Sequence, residues 1–250
     1  MPLPLLLVVV FLASLILTMV GLGGGLIFSP LFVLLDFPVG QAVSASLFLN
    51  GIAAVSAASV YLRRKMVDMS VALPLVVTSM AGAPLGALLT SRIDVKLFTA
   101  LLAAVVLAAA VRMISGGKPP DQGRDIGRLH RVVGGGLIGL GIGFLGGMMG
   151  IGGGVFIVPL LIYILHVPTK VAAASSIFVV CFSSFSGFAT HAATIDIDWP
   201  FVAMAAVCSF AGGQVGSRIM AARLRGRSVR IIFGIVLLAF AGRLVWKVAA

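Results

Sequence analysis

The chain reads as a series of long uncharged stretches separated by short polar ones. The uncharged stretches are 1–35, 37–62, 69–91, 97–111, 132–169, 171–195, 199–217 and 231–242. A helix crossing a hydrocarbon core about 30 Å thick needs roughly 20 residues, so most of these stretches predict one membrane span each. The last is short, but Arg243 and Lys247 beyond it can snorkel toward headgroups. Two stretches are too long for one helix, 3–35 and 132–169. Each carries a glycine cluster near its middle: Gly21-Leu22-Gly23-Gly24-Gly25 and Gly150-Ile151-Gly152-Gly153-Gly154. Each helical glycine costs about 1 kcal/mol relative to alanine. Both stretches are therefore predicted to be two helical pieces joined at the glycines.

Composition agrees with a membrane protein. Hydrophobic residues make up 60% of the 250 residues and charged residues only 10%, against about 25% charged in a soluble domain. A chain of this size cannot hide that much apolar surface inside itself, so the surplus must face lipid. The N-terminus has no basic residue before its apolar run, and it reads as a first membrane segment rather than a cleaved signal peptide. The net charge of +11 does not predict nucleic acid as a partner, because the basic residues gather in short loops. Cys181 and Cys208 lie in apolar stretches, which argues against a disulfide framework or a metal site. No cofactor motif is present: Gly141-Ile-Gly143-Phe-Leu-Gly146 matches a dinucleotide fingerprint in spacing alone, without the strand before it or the acidic residue after it.

Loop charges set the sides of the membrane. Arg63-Arg64-Lys65, the linker cations Arg112, Lys118, Arg124, Arg128 and Arg131, and the run Arg223, Arg225, Arg227 and Arg230 mark three cytoplasmic loops. The 191–198 loop holds His191, Asp196 and Asp198 with no Lys or Arg, so it reads as external. Arg243 and Lys247 fall outside, a mild departure. The polar Gly-Gly-Lys-Pro-Pro-Asp-Gln-Gly run in the linker divides the chain into an N-terminal repeat, 1–114, a linker, 115–131, and a C-terminal repeat, 132–250.

The two halves resemble each other. Met19 to Gly25 matches Met148 to Gly154, Pro30 matches Pro159, Pro38 matches Pro168, and Ala42 and Ser46 match Ala172 and Ser176. Asp68 matches Asp198, and Ala81 to Gly86 matches Ala211 to Gly216. Yet the 62–67 loop is internal and its counterpart at 191–198 external, so the repeats are predicted to be inverted. Inverted repeats are a hallmark of secondary transporters, which bind substrate near the bilayer midplane between the repeats. The expected fold is all-α and polytopic: two inverted repeats, each a glycine-broken hairpin plus three transmembrane helices, with about eight spans and up to ten helical segments. Whether each hairpin re-enters or crosses fully is left open by its length.

The duplicated Gly-x-Gly-Gly-Gly motif followed by proline, with the Pro-x-x-x-Ala-x-x-x-Ser segments at 38–46 and 168–176, resembles the sulfite exporter TauE/SafE family, also called the four-toluene sulfonate uptake permease family. The resemblance spans nearly the whole chain. Members commonly carry threonine where this chain has Ala45 and Ser175. The resemblance implies a multi-pass carrier of the bacterial inner membrane that moves sulfite, organosulfonates or other small sulfur-containing anions. A carrier or channel for a different metabolite or ion is the alternative. No His-Glu-x-x-His, Cys/His cluster or Ser/His/Asp arrangement is evident, so an enzyme is not expected.

An anion at mid-membrane needs donors, and the first 62 residues hold only one charge, Asp36. Broken helices supply backbone N–H groups and a partial positive charge at the helix N-terminus. Gly21, Gly23, Gly24 and Gly25, with Gly150, Gly152, Gly153 and Gly154, are therefore expected to line the site, opposed across a pseudo-two-fold axis. The alternative is that they only permit tight packing. Ser44, Ser46, Asn50, Ser175, Ser176 and Gln214 are candidates to complete the site, or else to hold neighbouring helices together. Asp36, His166 and His191 are candidates to carry a coupling proton, or else interfacial residues. The stripe Gly135, Gly139, Gly143 and Gly147, and the pairs Gly82/Gly86 and Gly212/Gly216, read as close-packing surfaces that could also serve a homodimer.

Overall fold

The computed structural model describes residues 3–89, 106–107, 109–111, 113–115, 128–149, 153–192 and 199–249. Nine helices can be labelled: α1 (Leu3–Val20), α2 (Gly25–Leu34), α3 (Val39–Arg63), α4 (Met69–Leu89), α5 (Arg128–Met149), α6 (Gly154–Tyr163), α7 (Thr169–Ala192), α8 (Trp199–Ala222) and α9 (Gly226–Ala249). The described residues of 106–115 are also helical, and no strand occurs among the described residues. The protein is all-α, as expected. Most of the 97–111 segment, the 116–127 part of the linker and residues 193–198 of the 191–198 loop lie outside the described residues. Helix α5 begins at Arg128, so the last residues of the linker are helical.

Both long stretches are broken where the glycines predict. Helix α1 ends in a Schellman motif. Gly21 takes the left-handed position at φ 91°, and Leu22 N–H donates to Leu17 O at 2.9 Å. Gly24 caps α2, and Gly153, left-handed at φ 77°, caps α6. The hairpins are unequal. The 18 residues of α1 span about 27 Å, but the 10 residues of α2 and of α6 span only about 15 Å each, half a hydrocarbon core. Each hairpin therefore pairs a long helix with a half-length one. Among the described residues, five helices, in α1, α3, α4, α7 and α8, are long and apolar enough to cross a membrane.

Burial is inside-out relative to a soluble protein. Leu5, Val8, Leu12 and Ile16 form an exposed apolar stripe along α1, as do Leu73, Val77 and Met80 on α4 and Val133, Leu137 and Leu140 on α5. Spacings of three and four residues place each set on one helical face, and these faces suit lipid. Small polar residues are buried instead, among them Ser14 on α1, Ser46, Asn50 and Ser56 on α3, Ser176 and Ser184 on α7, and Ser209 on α8. The protein is a multi-pass membrane protein on this surface.

Helices α3 and α7 pack together at the centre, and the other large pairings come in matched sets. Helix α1 packs on α8 as α5 packs on α4; α3 packs on α8 as α7 packs on α4; α2 lies on α3 as α6 lies on α7. The match reaches single atoms. A Cβ added to Gly212 would come within 3.1 Å of Leu15 N, and one added to Gly82 within 2.9 Å of Phe144 N, the residue equivalent to Leu15. Ser56 Oγ donates to Phe210 O at 2.7 Å, and its equivalent Ser186 Oγ donates to Met80 O at 3.2 Å. The glycine stripe on α5 is a close-packing surface, as one of its two readings has it: Gly139 lies against Leu75 O and Gly143 against Ser79. Backbones approach this closely only where no side chain intervenes.

Candidate functional site

The two glycine breaks meet between α3 and α7. Gly154 lies so close to the first break that an added Cβ would fall 2.6 Å from Leu22 O and 3.0 Å from Val180 Cγ2. Gly21 lies against α7, where a Cβ would fall 2.7 Å from Ala173 Cα. Gly21, Gly23, Gly24, Gly25, Gly153 and Gly154 are all buried. Gly150 and Gly152 lie outside the described residues. Two requirements fall on these glycines together. Gly21, Gly23 (φ 71°) and Gly153 need the left-handed backbone. Gly154 needs contact without a side chain. Gly24 has an ordinary φ of −89° and is covered by the Phe28 ring.

Side chains from α3 and α7 tie this junction together. Asn50 Oδ1 accepts the Gly25 N–H at 2.9 Å, one of the donors a helix start leaves unpaired. Asn50 Nδ2 donates to Ser184 Oγ on α7 at 2.8 Å. Ser46 Oγ donates to Gly25 O at 3.3 Å, and Ser176 Oγ donates across to Gly21 O at 2.8 Å. Tyr61 OH donates to Thr18 O at 2.8 Å, satisfying a carbonyl of the last turn of α1. Asn50, Ser46, Ser176, Ser184 and Tyr61 are fully buried. The junction is thus a cluster of neutral donors and acceptors inside an apolar bundle, where polar groups must be paired.

The structure brings together Asn50, Ser46, Ser176 and the glycines, and leaves the other candidates elsewhere. Ser175 Oγ accepts Asp68 N–H at 3.0 Å, ahead of α4, where Asp68 Oδ1 also accepts Ser70 N–H. Gln214 Nε2 donates to Ser56 O at 3.0 Å and Ser59 Oγ at 3.2 Å, clamping α8 to α3 two turns along from Asn50. Ser44 is buried, and its Oγ has no hydrogen-bond partner among the described residues. Asp36 and His166 sit at the far ends of α2 and α6, about 15 Å of helix from the breaks. Both are left-handed, at φ 62° and 51°. Asp36 occupies the C′ position of a Schellman motif, with Phe37 N–H donating to Phe32 O at 3.1 Å. His166 Nδ1 lies 3.2 Å from Ile164 O. These positions are helix ends. The side chain of His191 lies outside the described residues.

Sequence reasoning missed Ser184 and Tyr61. A signal for Ser184 existed, because it lies eight residues after Ser176 on one helix, two turns along nearly the same face. Repeat matching hid it: at the 130-residue offset of Ser46 and Ser176, its counterpart is Ala54, and the counterpart of Asn50 is Val180.

The chain is similar to proteins named as probable membrane transporters. The YunE protein of Bacillus subtilis is 25% identical, covering 92% of both chains. One from Methanocaldococcus jannaschii is 26% identical over 76% of this chain and 72% of its own. One from Sinorhizobium is 29% identical over 95% of this chain and 90% of its own. No solved structure matches. Residues 6–244 match the family described as sulfite exporter TauE/SafE, and the chain belongs to that membrane transporter family.

Proposed function

We propose that the protein is a secondary carrier that exports small sulfur-containing anions, sulfite or organosulfonates, across a bacterial inner membrane. The observation that carries this reading is the junction of the two glycine breaks. Gly154 of one half touches Leu22 of the other in the middle of the bundle, and Asn50, Ser46, Ser176 and Ser184 supply buried polar groups there. A carrier of this type binds its solute where two broken helices of opposed repeats face each other. Neutral donors and helix N-termini suit an anion and avoid the desolvation of a buried cation. The inverted arrangement of the halves belongs to the same proposal. It rests on the loop charges and on the matched helix pairings.

The decisive experiment is reconstitution. Purified protein in liposomes is loaded with sulfite, sulfoacetate or a taurine-derived anion, and flux is followed with and without a pH gradient. The expected result is saturable flux of at least one sulfur anion. Flux of none of them, alongside flux of another solute, would favour the alternative carrier or channel for a different metabolite or ion.

A further inference from the structure

The direction of the hydrogen bonds around Asn50 bears on where an anion is held. A backbone N–H can only donate, so the Asn50 atom 2.9 Å from Gly25 N is the carbonyl oxygen. That fixes the amide, and its nitrogen must donate to Ser184 Oγ. Ser184 therefore accepts, and its own proton remains. A serine inside a helix commonly gives that proton to the carbonyl one turn back. Here that carbonyl, Val180 O, receives Ser183 Oγ at 3.3 Å instead. Among the described residues the buried Ser184 hydroxyl donates to nothing. A buried donor in that condition costs free energy until an acceptor arrives.

We propose that the acceptor is the transported anion, and that Ser184 is its principal side-chain donor. The inference rests on the anion-carrier reading and deepens it. Gly25 N–H, the Asn50 amide and Ser184 O–H form one chain in which every donor points the same way. Each bond polarises the next, and the chain starts at the positive end of α2. It delivers that partial charge to the hydroxyl without a buried cation. The chain has no twin in the other half, where Val180 and Ala54 stand in place of Asn50 and Ser184. The pseudo-symmetric junction therefore carries one donor chain, and it binds one anion, off the axis. Its apolar flank is set by Val180, whose Cγ1 lies 3.2 Å from where a Gly23 Cβ would be. The ligand this fits has oxyanion acceptors at one pole and tolerates apolar surface at the other, as an organosulfonate does.

Anion binding to the purified protein, read as anion-dependent thermal stabilisation with sulfite, sulfoacetate, nitrate and acetate, tests the assignment. Ser184→Ala is expected to weaken the apparent affinity about tenfold or more, the scale of a lost hydrogen bond to a charge. Ser183→Ala, whose donor is satisfied on the backbone, is expected to change it less than threefold. Should Ser184→Ala fail to fold, Ser184→Cys keeps the volume with a weak donor and is expected to show the same loss. Unchanged affinity in a folded Ser184 variant would overturn the assignment. Stabilisation of the wild type by nitrate or acetate alone, lost in Ser184→Ala, would sink the sulfur-anion reading and leave the Ser184 assignment standing. A wild type that no anion stabilises would overturn both.

Discussion

Asn50 accepts the backbone N–H of Gly25 at 2.9 Å, reaching from α3 to the first residue of the half-length helix just before it. The contact joins a side chain on α3 to the break that starts α2. Replacing Asn50 with leucine keeps the approximate size and leaves two buried polar partners, Gly25 N–H and Ser184, without their bonds. The expected loss is about 1–3 kcal/mol per unsatisfied group. Thermal unfolding in detergent should show a clear drop in melting temperature, and any transport measured in liposomes should fall with it. An unchanged melting temperature would mean that the amide does not hold the break.

The matched glycines make a paired prediction. Gly82→Ala would press a methyl against Leu140 O, and Gly212→Ala would press one against Phe11 O, its equivalent. Overpacking of this kind costs about 1–3 kcal/mol, and the two variants should be destabilised alike. Gly141→Ala and Gly242→Ala meet nothing within 4 Å among the described residues. Those two should be neutral or gain up to about 1 kcal/mol from helix propensity. Unfolding of all four in one detergent checks the contrast; equal behaviour of the two groups would refute the close-packing role.

Gly153 and Gly24 should separate backbone need from side-chain space. Gly153→Ala must place an L-residue at φ 77°, at about 1–2 kcal/mol. Gly24 has an ordinary φ, and the nearest atoms to its added Cβ are those of the Phe28 ring. Gly24→Ala should therefore be repaired by Phe28→Leu, whereas no single change among the neighbours should repair Gly153→Ala. Melting temperatures of the single and double variants decide this, and failure of the Phe28 repair would count against the packing account of Gly24.

Tyr61→Phe removes only the hydroxyl that donates to Thr18 O at 2.8 Å. A buried carbonyl at the end of α1 then lacks that donor, at about 1–2 kcal/mol. Stability should fall by that amount while solute affinity stays within about threefold, because the hydroxyl holds the end of α1 and takes no part in the Gly25–Asn50–Ser184 donor chain. A large change in affinity at unchanged stability would move Tyr61 into the binding site.

Topology can be tested directly. In a background with Cys181→Ala and Cys208→Ala, single cysteines at Lys65 and Asp196 should react with a membrane-impermeant maleimide from opposite faces. Labelling of both from one face would remove the inversion on which the carrier reading draws.

Much of the architecture is legible in the sequence. Spans followed from runs of uncharged residues, because lipid tolerates little else. The breaks followed from glycine clusters, because no other residue so readily leaves a helix. The candidate site was legible in part. Asn50, Ser46 and Ser176 stood out as polar residues in apolar segments, and all three reach the breaks. Ser175 and Gln214 stood out for the same reason, yet they fasten other helices. Residue type alone cannot separate these, since a buried hydroxyl or amide needs a partner wherever it lies.

What the sequence by itself determined is the set of local and solvent-driven features: which segments leave water, where each long segment breaks, and that the two halves share a pattern. Those depend on residue type and spacing along one chain. What only the tertiary structure decided is which segments meet. Residues 134 positions apart, Asn50 and Ser184, become hydrogen-bonded because α3 and α7 cross at the centre. The half-length of α2 and α6 was decided there too, since Asp36 and His166 end those helices through left-handed turns that residue type does not announce. Contact between distant segments is set by the packing of whole helical faces, and that is a property of the assembled bundle rather than of any one stretch of it.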